Sequence, residues 1–309
     1  MTLAYASGKA ILFGEHAVVY GRPAIAVPIT EVQAQAIVED APSGQGIRII
    51  AQDLHRDYLL RDAPPDDPLR VTVTNTLQHL HRALEQDITL TISSTIPVAC
   101  GLGSGAAVAT AVVRALARHF GHPLEADEVS DIVFETEKLH HGTPSGIDNT
   151  VIAFEKPVYF VRDQTLEVFK VSYPFLLAIA DTGIASPTKI AVGDVRRAWQ
   201  ADPVKYEEIF DEIGTLTTMA RQAIESGATE ALGQLMDANQ RLLRLLKVSS
   251  PELESLIAAA KQGGALGAKL SGGGRGGNMI ALVTPQTKDR VSMMLRLAGA
   301  KSVITTEVH

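Results

Sequence analysis

The hydrophobic pattern of this chain changes near Ser172, and that change limits the folds that are open to it. Before Ser172, apolar residues alternate with polar ones at Val32, Ala34, Ala36 and Val38, which predicts a strand with one buried face. Helical spacing of apolar residues also occurs there, at residues 69–84, 106–120 and 126–140. The first half of the chain therefore combines strands with helices.

The second half is rich in helices. Four successive segments are predicted as helices, at residues 188–200, 203–226, 228–246 and 251–262. Pro203 and Pro251 stand in the first turns of two of them, where a helix tolerates proline. Strand candidates follow at residues 265–270, 278–283 and 302–308. We predict an α+β fold with two domains, an N-terminal domain at residues 1–172 and a helix-rich C-terminal domain at residues 173–309.

The composition excludes several classes of protein. The 309 residues include 28 lysines and arginines against 35 aspartates and glutamates, and the net charge of −7 offers no broad attraction for nucleic acid or anionic lipid. No apolar run approaches the roughly 18 to 20 residues of a membrane-spanning helix. The single cysteine, Cys100, cannot form an intramolecular disulfide, and residues 1–9 lack the pattern of a signal peptide. We predict a cytoplasmic protein with no nucleic-acid or membrane partner.

A glycine-rich run, Gly101-Leu102-Gly103-Ser104-Gly105-Ala106-Ala107, joins a predicted strand to a predicted helix. Glycines let backbone amides approach an anion, and the helix adds unsatisfied N–H groups and the positive end of its dipole. The run therefore predicts a phosphate-binding loop, with an ordinary glycine-rich turn as the alternative. A dinucleotide fingerprint would also require a second strand ending in an acidic residue, and a Walker A loop would require a lysine after the glycines. Neither follows this run.

Two carboxylates, Glu137 and Asp148, flank a helix break at residues 142–144. Across such a turn, one carboxylate could hold Mg²⁺ while the other faces an acceptor hydroxyl, as phosphoryl transfer requires. Taken alone, each is more simply interpreted as a helix cap or a solvated charge. The adjacent His140 and His141 are only a weak indication of a metal site.

A second glycine cluster occupies residues 272–277, where five of six residues are glycine. Each glycine loses much backbone entropy on folding, so a plain hairpin would be a costly use of them. We predict that this loop approaches a ligand closely. Near the N-terminus, Lys9 begins an apolar strand, and by itself it is typical of a charge that protects a sheet edge.

Together these motifs resemble those of the GHMP kinase superfamily, named for galactokinase, homoserine kinase, mevalonate kinase and phosphomevalonate kinase. Four motifs follow the family's order and extend over nearly the whole chain. Residues 9–21 and 137–149 are most similar to the mevalonate kinase branch, the second through the run from His141 to Asn149 that matches HGxPSGxDN. The resemblance implies a two-domain kinase that uses ATP and Mg²⁺, with its active site in the cleft between the domains.

The resemblance also implies roles for single residues. Asp148 corresponds to the family's catalytic aspartate, and Lys9 to the lysine paired with it. Glu137 corresponds to a Mg²⁺ ligand, with Ser104 as a second ligand. The remaining correspondences are Glu15, His16 and Thr188 in the substrate pocket, and Gly101, Leu102, Gly103, Ser104, Gly105, Ala106, Ala107, Gly273 and Gly274 around ATP.

Gly105 departs from the family's pattern, because a second serine is common at this position. Its absence removes a hydroxyl expected near Mg²⁺, although water can replace it, since Mg²⁺ commonly retains several waters. The function implied by the resemblance is transfer of the γ-phosphate of ATP to the 5-hydroxyl of mevalonate, by a homodimer. The alternatives are a sister kinase acting on phosphomevalonate or another small alcohol, and a silent nucleotide-binding sensor.

Overall fold

The computed structural model describes residues 1–97, 101–141, 145–162, 164–185 and 188–309, without the side chains of residues 139–141. Contacts group the chain into two compact units that interlace along the sequence. The first unit comprises Met1–Lys9, Val32–Pro97 and Gly103–Glu155, and the second comprises Ala10–Glu31, Val98–Leu102 and Lys156–His309, so far as these ranges are described. The domain boundary at residues 172/173 stays a prediction. Among the described residues, no helix combines the length and apolarity that crossing a membrane requires.

The strands of the first unit are β1 (Thr2–Phe13) and β2 (Ala24–Asp40), both shared with the second unit, and β3 (Ile47–Ala51), β4 (Arg56–Leu59) and β5 (Ile88–Ser94). In the sheet of this unit, β5 lies between β2 and β3. Strand β5 pairs antiparallel with β2 and parallel with β3, and β3 pairs antiparallel with β4. Burial alternates along β2, where Val32, Ala34, Ala36 and Val38 are all inside, which confirms the predicted face.

The helices of the first unit are α1 (Pro68–His79), α2 (Ser104–His119), α3 (Ala126–His141) and α4 (Ile147–Phe154). Helices α2, α3 and α4 pack against one another and position the second half of the glycine-rich run beside the carboxylate motif. The prediction that the first helix extends through residue 84 is wrong. It ends at His79, and His81 adopts a left-handed φ of 53° that a continuing helix does not permit.

The second unit contains a four-stranded antiparallel sheet. Its order is β11-β8-β10-β9, with β8 at Phe175–Asp181, β9 at Gly267–Ser271, β10 at Asn278–Val283 and β11 at Ser302–Val308. The short strands β6 (Val158–Phe160) and β7 (Glu167–Val168) pair with each other, and β6 also pairs with the start of β2. The strands predicted at residues 278–283 and 302–308 are therefore confirmed.

The helices predicted for this unit are also confirmed. They are α5 (Thr188–Ala201), α6 (Pro203–Ser226), α7 (Thr229–Leu245) and α8 (Pro251–Gly263). A further helix, α9 (Lys288–Leu297), follows β10. Proline occupies the first turn of α6 and α8, after the capping residues Asp202 and Ser250. The core between helices and sheet includes fully buried Phe210, Leu243 and Leu270. Each such side chain contributes about 1.5 to 3 kcal/mol of hydrophobic stabilisation.

Helix α7 covers the free edge of β9. A Cβ on Gly267 would lie 2.1 Å from the Gly233 carbonyl oxygen, so glycine at these positions lets helix and strand touch. The side chains of Asp237 and Gln240 then accept hydrogen bonds from the N–H groups of Ala268 and Leu270, at 2.9 and 3.0 Å. These bonds satisfy edge N–H groups that would otherwise be open to pairing with another strand. They also hold in place the strand that carries Lys269.

Candidate active site

Lys9 and Asp148 form the central ion pair of the first unit. The Lys9 Nζ lies 3.0 Å from Asp148 Oδ1, and the two side chains are 8% and 29% exposed. Lys9 comes from β1 and is buried, which excludes the alternative of a solvated charge at a sheet edge. Gly146 caps α4, and Asp148 follows in the first turn, where the positive end of the helix dipole favours a carboxylate. The structure thus brings together two residues that lie far apart in the sequence.

Glu137 lies close enough to this pair to interact with both charges. It projects from α3 and is only 4% exposed, so it is not a solvated surface charge. The pKa of the Glu137 carboxyl is raised to about 7, chiefly by burial and also by the nearby Asp148, while Lys9 opposes the shift. A buried carboxyl whose charged form is disfavoured gains from a cation beside it. Glu137 is therefore suited to hold a divalent metal near the Lys9–Asp148 pair.

The glycine-rich run is shaped by close packing on Lys9. Gly101 and Gly103 have left-handed φ values of 79° and 73°, and α2 begins directly after Gly103. A Cβ on Gly103 would lie 2.9 Å from Lys9 Cγ and 3.0 Å from Ile152 Cδ1. The first-turn N–H groups of α2 have no acceptor within the helix. They are donors for an anion, in the same unit as the Lys9–Asp148 pair.

The remaining residues of that run have simple placements. Leu102, Ala106 and Ala107 are buried, Ser104 is half-buried, and Gly105 is exposed in the first turn of α2. Residues 98–100 and 142–144, including Cys100, lie outside the described residues, as do the side chains of His140 and His141.

The second glycine cluster joins β9 to β10 in the second unit. A Cβ on Gly274 would lie 2.2 Å from the Val248 carbonyl oxygen, and one on Gly276 would lie 2.8 Å from the Ile184 carbonyl oxygen. The protein's own backbone therefore accounts for these two glycines. Gly272, with a φ of 85°, has open space beside its Cα and is free to face a ligand.

His16 and Thr188 both lie against Gly273. The His16 Nε2 is 3.0 Å from the Gly273 carbonyl oxygen. A Cβ on Gly273 would lie 3.1 Å from Thr188 Oγ1, and Thr188 itself is exposed at the start of α5. Burial lowers the pKa of His16 to about 4, so its imidazole is neutral near pH 7. Three residues predicted from separate motifs are thus neighbours within one unit.

Lys269 begins the segment that the family resemblance places at the active site, residues 269–277, but the sequence indicated no individual role for it. It is completely buried in the middle of β9. Its Nζ donates hydrogen bonds to Glu15 Oε1 and, at 2.7 Å, to the carbonyl oxygen of Leu270. Burial raises the pKa of Glu15 and lowers that of Lys269, and each charge favours the other. Glu15, predicted in the substrate pocket, has its carboxylate on this lysine. A lysine within an apolar strand directly before a glycine cluster was the available signal.

Two family models match separate segments of the chain. The model described as the GHMP kinases N terminal domain matches residues 71–156, and the one described as GHMP kinases C terminal matches residues 220–301. Mevalonate kinase of Thermococcus sibiricus is 35% identical over 98% of this chain and 95% of its own length. Mevalonate kinase of Pyrococcus abyssi is 35% identical over 99% of this chain and 95% of its own length.

Solved structures agree with these sequence matches. The L. major mevalonate kinase, crystallised in complex with R-mevalonate, aligns with a TM-score of 0.87 and 31% identity over 100% of this chain and 96% of that chain. A Streptococcus pneumoniae phosphomevalonate kinase aligns with a TM-score of 0.82 over 99% of this chain and 100% of that chain. At 17% identity, this match shows the fold alone. With relatives this similar over nearly its full length, the chain belongs to the mevalonate kinases of the GHMP kinase family, which are ATP-dependent kinases acting on an alcohol.

Proposed function

We propose that the protein transfers the γ-phosphate of ATP to the 5-hydroxyl of mevalonate, giving 5-phosphomevalonate and ADP. The observation that carries this proposal is the 3.0 Å ion pair of Lys9 and Asp148, in a chain of this family. The L. major relative was crystallised with R-mevalonate, which supports this acceptor over other small alcohols.

Asp148 acts as the general base. An alcohol is a poor nucleophile near neutral pH, so a carboxylate within hydrogen-bond reach accelerates its attack by accepting its proton. The substrate oxygen then forms a bond to the γ-phosphorus, the bond from that phosphorus to the bridging oxygen of ADP breaks, and the proton remains on Asp148. Lys9 favours the ionised base and stabilises negative charge developing on the oxygen.

Glu137 and Ser104 would hold Mg²⁺. Within the described parts of the chain, no group of three or more His, Cys, Asp or Glu side chains gathers as a metal site. Proteins commonly bind Mg²⁺ through one or two carboxylates together with nucleotide phosphates and water. When bound, the cation would neutralise charge on the phosphates of ATP. Glu137 would supply the buried carboxylate, and half-buried Ser104 a hydroxyl.

The backbone N–H groups at the start of α2 would bind the phosphates of ATP. This role rests on the helix N-terminus directly after Gly103, in the same unit as Lys9 and Asp148. The nucleotide residues we propose are Gly101, Leu102, Gly103, Ser104, Gly105, Ala106, Ala107, Gly273 and Gly274. His16 and Thr188, joined through Gly273, would contact the acceptor, and Glu15 would support that pocket.

An acceptor panel tests the proposed reaction. The purified protein, ATP and Mg²⁺ are combined with mevalonate, phosphomevalonate, galactose or homoserine, and ADP release is followed by a coupled assay. Phosphorus NMR identifies the product. We expect ADP release with mevalonate and a phosphomonoester at its 5-oxygen. Turnover of phosphomevalonate in its place would assign the sister reaction, and nucleotide binding without turnover of any alcohol would assign a sensor.

Three further expectations belong to the same proposal. The protein forms a homodimer, as the family resemblance implies, and light scattering after gel filtration measures this. It functions in the cytoplasm without a nucleic-acid partner, in line with its lone cysteine and net charge of −7. Its two domains divide near residues 172/173, and limited proteolysis followed by mass spectrometry locates the boundary.

A further inference from the structure

Lys269 has a degree of burial that stability alone does not explain. Its side chain is 0% exposed and that of Glu15 is 1% exposed. Burying a charge pair in this way is often no better for stability than burying apolar side chains of the same size. The best-supported role of a buried charge pair is to favour one arrangement of the chain over other arrangements.

The pair is one of three bonds that tie residues 11–16 to the base of the glycine loop. Going along residues 11–16, the first bond is at Ile11, whose carbonyl oxygen accepts from Ser271 Oγ at 2.8 Å. The second is the contact of Glu15 with Lys269. The third bond is at His16, whose Nε2 lies 3.0 Å from the Gly273 carbonyl oxygen. The backbone amide of Gly272 also favours the ionised form of Glu15. The buried pair thus lies between an anchored strand and the imidazole.

The contact to Gly273 fixes the tautomer of His16. A carbonyl oxygen only accepts hydrogen bonds, so Nε2 carries the proton and Nδ1 presents a lone pair. The Nδ1 atom is buried and has no hydrogen-bond partner among the described residues. His16 also has a left-handed φ of 63°, which a non-glycine residue keeps only when its surroundings impose it. This buried acceptor lacks a donor within the described part of the chain, and the hydroxyl group of an alcohol can supply one.

We propose that Glu15 and Lys269 are positioning residues for the acceptor alcohol. Their contact ties the residue before His16 to the strand that leads to Gly273, so that Nε2 donates to Gly273 and Nδ1 accepts a hydrogen bond from a substrate hydroxyl. This inference deepens the proposed function and rests on it. Glu15 then acts on the substrate through His16 rather than by touching it.

Steady-state kinetics of Lys269→Met test the proposal. We expect KM for the acceptor to rise at least ~10-fold, because a displaced positioning group weakens the productive alignment, while KM for ATP changes less than about two-fold. The matched control is Lys261→Met, because Lys261 also donates to a carboxylate, Asp237, and to a carbonyl oxygen, Leu266, beside the same strand. The control should leave both KM values near those of the wild type.

A double variant, Glu15→Leu/Lys269→Met, separates positioning from stability. It removes both buried charges, so its Tm should recover toward the wild-type value, while KM for the acceptor stays high. Nitrogen-15 NMR of the imidazole, assigned with His16→Gln, should show the single Nε2–H tautomer in the wild type and a mixture in the double variant. Recovery of KM together with Tm, an unchanged tautomer, or unfolding of both variants would overturn the proposal.

The kinetics use whichever alcohol the acceptor panel identifies. A different acceptor would overturn the proposed reaction and leave this comparison intact. Conversely, equal increases in the two KM values with mevalonate as the confirmed acceptor would overturn only the positioning role.

Discussion

Gly103 packs so closely on Lys9 that a Cβ at position 103 would lie 2.9 Å from the lysine Cγ. The start of the proposed phosphate loop and the lysine of the proposed catalytic pair therefore share one packing arrangement. A change in either residue moves the other, which makes position 103 a direct test of the site.

Gly103→Ala should lower kcat/KM at least ~10-fold, since the methyl group displaces Lys9 and misalignment of reacting groups is costly. Gly121→Ala is the matched control, because Gly121 follows the other end of α2 with a similar φ of 75° and open space beside it. Both variants bear a backbone cost of about 1 to 2 kcal/mol. Equal kinetic losses in the two would show that backbone strain alone accounts for the effect.

Asp148→Asn should lower turnover by ~10²-fold or more while ATP binding changes little, the scale expected for loss of a positioned general base. Lys9→Met should lower turnover in the same way. Calorimetry measures ATP affinity, and kcat comes from the coupled assay. Glu155→Gln, which removes the 2.8 Å pair with Arg114 at the opposite end of α4, controls for a general loss of helix charge. Wild-type turnover in Asp148→Asn would remove this residue from the mechanism.

Glu137→Gln should need much more Mg²⁺ for half-maximal activity at fixed MgATP, because the hard cation loses an anionic oxygen. Gly105→Ser should need the same concentration or less, since it adds a hydroxyl in the first turn of α2. That serine should also stabilise the helix slightly over glycine. Circular dichroism checks that both variants are folded. An unchanged Mg²⁺ requirement in Glu137→Gln would contradict the ligand assignment.

The raised pKa of Glu137 predicts a pH dependence of stability in EDTA. Its pKa is about 7 in the folded protein against an ordinary value of 4.5, so the folded state binds the proton more tightly. This contribution is complete below the ordinary value and is lost as the pH rises through about 7. The free energy of unfolding of wild type relative to Glu137→Gln should therefore fall by roughly 2 to 3 kcal/mol between about pH 5 and about pH 8.

Asp87→Asn, in the same unit, is the control for that experiment. The pKa of Asp87 is lowered by the backbone N–H groups of Gly46 and Gly44, which do not titrate. Its contribution is present above the ordinary pKa and disappears only as the pH falls through the lowered one. It should therefore stay constant over the tested range. Denaturant titrations at each pH give both differences, and a flat profile for Glu137→Gln would argue against a buried, protonatable Glu137.

Two glycines of the second cluster should respond differently to alanine. Gly274→Ala must accommodate a Cβ 2.2 Å from the Val248 carbonyl oxygen, whereas Gly272→Ala meets open space at a similar φ. We expect Gly274→Ala to cost at least about 2 kcal/mol more stability than Gly272→Ala, in the range of overpacked sites. Thermal unfolding measures the difference. Loss of activity in a well-folded Gly272→Ala would indicate close approach of a ligand.

Local signals were sufficient for the predicted helices of the second half of the chain. The proline after Asp202 and the glycine after Ser226 delimit α6 as predicted, because capping preferences act within a few residues. The end of α1 was mispredicted, since the left-handed turn at His81 has no sequence signal as clear as a glycine. Propensity alone could not distinguish a helix ending at His79 from one five residues longer.

The candidate active site was harder to predict from the sequence than the helices and strands were. By itself, Lys9 was interpreted as a charge that protects a sheet edge. Its pairing with Asp148 was predicted from the family resemblance, because contacts between residues more than a hundred positions apart leave no periodic pattern in the sequence. Lys269 and Glu15 are separated still further, and only the fold shows that they meet. The roles of Gly274 and Gly276 likewise depend on backbone atoms of Val248 and Ile184, distant in sequence.

The covered edge of β9 also limits how copies of this protein can associate. Asp237 and Gln240 act there as a substitute for a neighbouring strand, occupying the N–H groups of Ala268 and Leu270. Another chain could extend the sheet on that side only by displacing both side chains and the helix that carries them. Strand exchange at β9 is therefore opposed by native hydrogen bonds, and the proposed homodimer must be built on a different surface.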